Sequence, residues 1–259
     1  MTPLEYRDLS VQIGERTLLD GLSLHVPPGD FVALIGPNGA GKTTLLKTAL
    51  ALRAPSKGSV LLGGKPALEL PARVRAEKIA WLPQHLRADE PVTCLESVAA
   101  ARFRFHESHA ASLKVAESAL ARVAASALAA RPITELSGGE RQRIAFACLI
   151  AQDADILLFD EPANHLDPAQ QLEVYRLLGE LWREGHTIVC INHDVNLLHQ
   201  VGDGARVRVV GLGKGRIGFD TKLTDGALPR QLGELFGLEM ESLKGSAQRF
   251  IVPRHRSSP

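Results

Sequence analysis

A chain of 259 residues that is 45% apolar and 23% charged has the composition of an ordinary globular protein and enough apolar material for a full core. Its 30 basic and 29 acidic side chains leave a formal charge of +1, which excludes a global field that would make nucleic acid the main partner. Cys94, Cys148 and Cys190 stand far apart with no CxxC or Cys/His cluster, residues 1–20 are charged throughout, and no run of about 18 apolar residues occurs, which excludes a disulfide framework, a structural zinc site, a signal peptide and a membrane span. The expectation is a soluble chain in a reducing compartment, or one that meets a membrane only through a partner.

Residues 4–35 read as short strands broken by turn signals at Gly14-Glu15, Asp20-Gly21 and Pro27-Pro28-Gly29-Asp30, ending in the apolar run Phe31-Val32-Ala33-Leu34-Ile35. Gly36-Pro37-Asn38-Gly39-Ala40-Gly41-Lys42-Thr43-Thr44 follows that strand and opens a helical pattern over 43–52, which is the setting a P-loop requires. Gly36, Gly39 and Gly41 let the backbone turn tightly, so that the amides from Asn38 to Thr44 face a triphosphate at a positive helix end. Lys42 would reach the β- and γ-phosphates, and the Thr43 hydroxyl would ligate Mg²⁺. A hairpin around Gly63-Gly64 and a strand at 78–82, running into Pro83-Gln84, come next.

From 92 to 131 the chain is Ala-rich with Leu, Val and Phe at helical spacing, bracketed by Pro91 and Pro132; it reads as an inserted helical subdomain. Leu136-Ser137-Gly138-Gly139-Glu140 then has the Ser-x-x-Glu spacing of a capping box. Capping alone would not select glycines, each of which costs up to about 1 kcal/mol relative to Ala in a helix; an anion approaching the backbone of Ser137, Gly138 and Gly139 would. A helix from Gly138 leads to a strand at 155–159 that ends in Asp160 and Glu161, where a P-loop protein places its Mg²⁺-binding carboxylate and a base for water.

A helix starting at Asp167-Pro168 and a strand at 187–192 complete a strand-helix-strand series, which implies right-handed crossovers, a mostly parallel sheet and a ligand at its carboxyl ends. Gly211-Leu212-Gly213-Lys214-Gly215 lacks both a following helix and a Ser/Thr after its Lys, so it reads as a hairpin turn within 205–219 and not as a second phosphate loop. Residues 254–259 are expected to fray.

Taken together, these motifs resemble the ATP-binding cassette family. The P-loop 36–43, Gln84 as the Q-loop, Leu136 to Glu140 as the signature, residues 156–161 as Walker B, Asn164-His165-Leu166-Asp167 as the D-loop and His193 as the switch histidine occur in the family's order and with similar spacing. The resemblance implies an α/β P-loop NTPase fold with an antiparallel β-subdomain and an inserted helical subdomain. On it, 1–259 is a single ATPase domain, with the nucleotide-binding core at 1–83 and 135–220, the helical subdomain and Q-loop at 84–134 and a tail at 221–259.

It further implies a head-to-tail dimer with ATP between the P-loop of one copy and Ser137-Gly138-Gly139 of the other. Carried over, Thr43, Asp160 and Gln84 serve the metal, Glu161 is the catalytic base, and His193 contacts the γ-phosphate. Two departures stand out. Ile13 occupies the position where an aromatic ring usually stacks on adenine, forgoing a contact worth on the order of 1–3 kcal/mol, and Ala163 stands where Ser or Thr is common.

His193-Asp194-Val195-Asn196-Leu197-Leu198 and the tail around Leu235-Phe236-Gly237-Leu238-Glu239-Met240 resemble importers of iron chelates, haem and vitamin B12. That resemblance implies a peripheral subunit on the cytoplasmic face of a bacterial inner membrane. Two copies would dock under a permease dimer, indirectly served by a periplasmic substrate-binding protein, with the groove beside Gln84 and residues 85–90 receiving a permease helix. A soluble cassette ATPase of translation or iron–sulfur assembly, and an exporter's ATPase, remain the alternatives at this point.

Overall fold

A computed structural model describes residues 3–84, 91–245 and 249–254 of the chain. Strands β1 (Leu4–Ile13) and β2 (Arg16–Val26) form an antiparallel pair, extended by β4 (Lys57–Leu62) and β5 (Lys65–Pro66) into a four-stranded sheet of order β2-β1-β4-β5. The larger sheet contains β3 (Phe31–Ile35), β6 (Ile79–Leu82), β7 (Ile156–Asp160), β8 (Thr187–Ile191), β9 (Val207–Gly213) and β10 (Arg216–Lys222), in the order β10-β9-β3-β8-β7-β6. Its first five members in chain order are parallel, and only β10 joins antiparallel, through a two-residue turn at Lys214 and Gly215, both at positive φ.

Every residue of β3, β7 and β8 is buried, as expected of parallel strands covered on both faces. The alternation of side chains sorts them between two cores. Phe31, Ala33 and Ile35 face one side with Leu157 and Phe159, against α5 (Gly138–Gln152) and α6 (Pro168–Arg183). Val32 and Leu34 face the other with Leu158 and Ile191, against α1 (Lys42–Ala49) and the four-stranded sheet. Trp182 fastens α6 to the sheet: its ring meets Phe31 edge-on, and its Nε1 donates to the Gly29 carbonyl at 2.7 Å.

Residues 92–131 are helical in α3 (Cys94–Ala100), capped by a Thr93/Glu96 box, and α4 (His109–Arg122), capped by Ser108. Both pack on α5, and their buried Cys94, Val98, Ala116 and Leu120 continue the core beneath α5. Asp20-Gly21 does not end a strand as the turn signal predicts. β2 runs through it, because an extra residue is absorbed as a register shift between Leu9 and Val11, with Gly21 at φ +60° and its amide on Ser10 Oγ at 2.9 Å. The P-loop helix stops at Ala49, short of the predicted 52.

Short α2 (Ala72–Lys78) precedes β6, and the tail folds into α7 (Leu228–Phe236) and the hairpin β11 (Met240–Lys244) and β12 (Arg249–Pro253). None of these had been read from the pattern. Residues 85–90, expected to edge the permease groove, and 255–259, expected to fray, lie outside the described residues. No helix among the described residues is long and apolar enough to cross a membrane.

Candidate functional site

The carboxyl ends of β3, β7 and β8 lie side by side, and each delivers one motif: β3 the P-loop, β7 Asp160 and Glu161, β8 Asn192 and His193. Gly36 is fixed by its neighbour, since any Cβ there would collide with the Leu212 carbonyl of β9. Gly41, at φ +101°, caps α1 without a side chain, and a Cβ would stand 2.6 Å from Leu19 Cδ2 and 2.8 Å from the Leu18 carbonyl oxygen. The loop is therefore wedged between β2 and β9. With no acidic residue in the first turn of α1, its free amides are left for an anion.

Lys42 is only 6% exposed. Its Nζ donates to the carbonyls of Gly36 at 2.6 Å and Pro37 at 3.1 Å. Burial lowers its pKa, against the opposing pull of Glu161 and Asp160. Asp160 is 2% exposed and accepts a 3.2 Å hydrogen bond from Thr43 Oγ1; burial raises its pKa, partly offset by that bond. The two oxygens converge as hard donors suited to Mg²⁺. Among the described residues no group of three or more His, Cys, Asp and Glu side chains is placed to hold a metal ion.

Glu161 sits at φ +54°, a left-handed conformation that is uncommon outside glycine and is held here by surrounding bonds. Its amide donates to the Ile191 carbonyl at 3.2 Å. Its carboxylate accepts from Gln84 Nε2 at 2.5 Å and Asn164 Nδ2 at 3.0 Å, and meets His193 Nε2 at 2.5 Å. Gln84, Glu161 and His193, far apart in sequence, are thus gathered on one carboxylate. Asn38, Gly39, Gly41, Lys42, Thr43 and Thr44 share with Glu161 a cavity of about 240 Å³.

Other site candidates stand elsewhere. Ile13, at the end of β1, is 47% exposed and does not line that cavity. Ser137, Gly138 and Gly139 do not line it either. They begin α5 with a complete capping box, Glu140 accepting from the Ser137 amide and hydroxyl at 2.8 Å each, and nothing lies within 4 Å of where a Gly138 Cβ would stand. Gln142 of α5 donates to the Pro162 carbonyl at 2.8 Å, tying this helix to the loop after Glu161. Ala163, which stands where Ser or Thr is common in the family, is buried.

Two residues beside the site were not read from the sequence. Arg16 lines the P-loop cavity. Asn192, 2% exposed, accepts from Tyr175 Oη at 3.0 Å, while its Nδ2 has no partner among the described residues. Only the run into His193 pointed to it.

The sequence profile of the ABC transporter family matches residues 19–164. The chain is 37% identical over 208 residues to the achromobactin transport ATP-binding protein of Dickeya dadantii, covering 78% of this chain and 77% of that one. It is 34% identical over 242 residues to a hemin import ATP-binding protein of Pseudomonas aeruginosa, covering 92% and 93%. Among solved structures, an inward-facing transporter provisionally classed as metal-chelate type superposes with a TM-score of 0.81 at 25% identity over 99% of both chains. A dimeric post-hydrolysis state of the ATP-binding cassette MJ0796 with ADP and Pi superposes with 0.77 at 27% identity, over 86% of this chain and 99% of that one.

Proposed function

The chain belongs to the ABC transporter family, and from that premise we propose that it is the ATP-hydrolysing subunit of a bacterial importer, powering uptake of a metal chelate (iron–siderophore, haem or cobalamin) through a partner permease. The observation that carries the reading is the gathering of Gln84, Asn164 and His193 on Glu161, beside the Thr43–Asp160 pair and beneath the P-loop. Relatives named for import favour this role over the exporter and the soluble ATPase.

In this mechanism Lys42 exchanges the Gly36 and Pro37 carbonyls for β- and γ-phosphate oxygens, and the amides from Asn38 to Thr44 hold the rest of the polyphosphate. Thr43 and Asp160, with Gln84 beside them, would hold Mg²⁺, which neutralises charge developing on the phosphates. Glu161 orients water and takes its proton, and Gln84, Asn164 and His193 fix the carboxylate that does so. His193 would also contact the γ-phosphate, as the family resemblance implies.

The open space at Gly138 supports a second copy of the chain approaching with its own bound ATP, the head-to-tail sandwich. A groove of about 240 Å³ between the end of β6, α3 and α5, lined by Trp81, Pro83, Ser97, Ala101, Ile144 and Cys148, is suited to a short permease helix. Burial there pushes the Cys148 thiol up to about 11. The division into a core, a helical insert at 84–134 and a tail after 220 follows the same reading, as does a place on the cytoplasmic face of the inner membrane with a periplasmic binding protein feeding the permease.

Glu161→Gln tests the assignment. It keeps the shape of the site and removes the base, so ATP stays bound, the dimer is trapped and steady-state turnover falls by roughly 10²–10⁴-fold. Turnover at the wild-type rate would overturn the role given to Glu161. Co-purification of the tagged chain from detergent-solubilised membranes with a polytopic permease, through high-salt washing, tests the importer reading; recovery without one would overturn it.

A further inference from the structure

Arg16 opens β2 directly opposite Ile13, across the Gly14-Glu15 turn. Other arginines near this sheet are held by carboxylates: Arg208 pairs with Asp30 at 2.7 Å and Asp220 at 2.6 Å, and Arg216 with Asp20 at 2.6 Å. Arg16 has no hydrogen bond or ion pair among the described residues, although Glu15 adjoins it. It turns over the P-loop instead. Its Nη2 lies 3.5 Å from where a Gly39 Cβ would stand, and it lines one cavity with Asn38, Gly39, Lys42, Thr43 and Glu161.

An unpaired guanidinium offers up to five donors in a planar fork matched to phosphate oxygens. Here it faces a loop whose own amides and lysine are already suited to phosphate. Of the described residues lining the cavity only Glu161 is acidic, and it is engaged by Gln84, Asn164 and His193, so the Arg16 guanidinium is free to meet the charge of a polyphosphate laid on the loop. At the neighbouring base position, Ile13 supplies no π-face.

We propose that Arg16 is a nucleotide-binding residue that grips the polyphosphate, shifting affinity from the base, where Ile13 is weak, to the phosphates. The proposal rests on the ATPase reading. It makes two linked statements: binding depends on Arg16 for any nucleoside triphosphate, and this dependence is electrostatic. A contact to phosphate leaves the identity of the base unread, whereas hydrogen bonds from the guanidinium to a base edge would make its removal cost ATP and GTP differently.

The test is titration calorimetry of the full chain with Mg-ATP and Mg-GTP at two ionic strengths, for wild type, Arg16→Ala, Arg16→Lys and Lys42→Ala, each first checked by thermal denaturation. Arg16→Ala should weaken both nucleotides equally, by about tenfold, as expected for loss of one charge-assisted hydrogen bond. It should also flatten the salt dependence, and Arg16→Lys should recover part of the loss by restoring the charge without the fork. Unchanged affinity in Arg16→Ala, or a loss confined to one of the two bases, would overturn the proposal. Unchanged ATP affinity in Lys42→Ala would overturn the P-loop reading beneath it, so the two failures are distinguishable.

Discussion

The P-loop and the Ser137-Gly138-Gly139 turn both present backbone amides at the start of a helix, yet their surroundings differ throughout. At the P-loop each glycine meets a neighbour: Gly36 the Leu212 carbonyl, Gly41 the Leu18 carbonyl and the Leu19 side chain. Lys42 and Asp160 beneath it are almost wholly buried. At the α5 start the capping box is satisfied within the chain, and the space over Gly138 is empty. Sequence motifs of equal stringency can therefore arise from opposite pressures. Gly36 and Gly41 fit a loop into its own fold, whereas Gly138 leaves open a surface that the proposed second copy would cover.

The sharpest way to break this comparison is Gly138→Asp. An acid in the first turn of a helix suits the macrodipole, and no atom crowds the site, so the melting temperature should hold or rise slightly. A carboxylate facing the phosphates of a second copy's ATP should nevertheless lower turnover by roughly a hundredfold or more, the scale of losing one preorganised anion donor, while ATP affinity measured on the free subunit stays near wild type. If subunit affinity and turnover fell together, Gly138 would belong to the same finished site as the P-loop.

Gly36→Ala probes the other side. The added methyl has nowhere to go against the β9 backbone, and moving β9 would disturb the central β3. A loss of about 3 kcal/mol in chemical denaturation is expected, the upper end of what overpacking costs, with nucleotide binding lost alongside it. Gly138→Ala, by contrast, should be neutral or slightly stabilising. Equal destabilisation by the two alanines would erase the distinction.

How much of this was legible in the chain follows from the same contrast. Phe31–Ile35 and Ile156–Asp160 announced themselves because strands buried on both faces must be continuous apolar runs, and the groups set at their ends are too chemically specific to be mistaken for turns. Ser137 and Glu140 were readable as a cap because capping is local. Asp20-Gly21 misled for the same reason: dipeptide chemistry signals a turn, but pairing with β1 on one side carries the strand through it as a bulge. Arg16 gave no signal, because its meaning comes only from the hairpin that sets it across from Ile13 and over Gly39. That Gln84, Glu161 and His193 serve one site was expected through the family resemblance alone, and their meeting on one carboxylate was not read at all, since no periodicity brings residues so distant together.

The smallest effect expected concerns Asp160, and it sharpens the idea that the P-loop side is built at a cost to stability. Burial raises the Asp160 pKa above its ordinary 3.8. A carboxyl whose folded pKa exceeds its unfolded value binds its proton more tightly when folded, so the stability it contributes is full below pH 3.8, is lost as pH rises through the folded pKa, and stays lost at neutrality. Asp160→Asn keeps an oxygen to accept from Thr43 and discards the buried charge. The nucleotide-free variant should therefore melt slightly higher than wild type at pH 7, and the difference should shrink as the pH is lowered toward 4. With Mg-ATP present the order should reverse, because only the wild-type carboxylate gains from the ion. A variant less stable than wild type at pH 7 without nucleotide would show that the charge on Asp160 is already compensated inside the fold by Thr43, Lys42 and Lys47, and that the site's cost lies elsewhere.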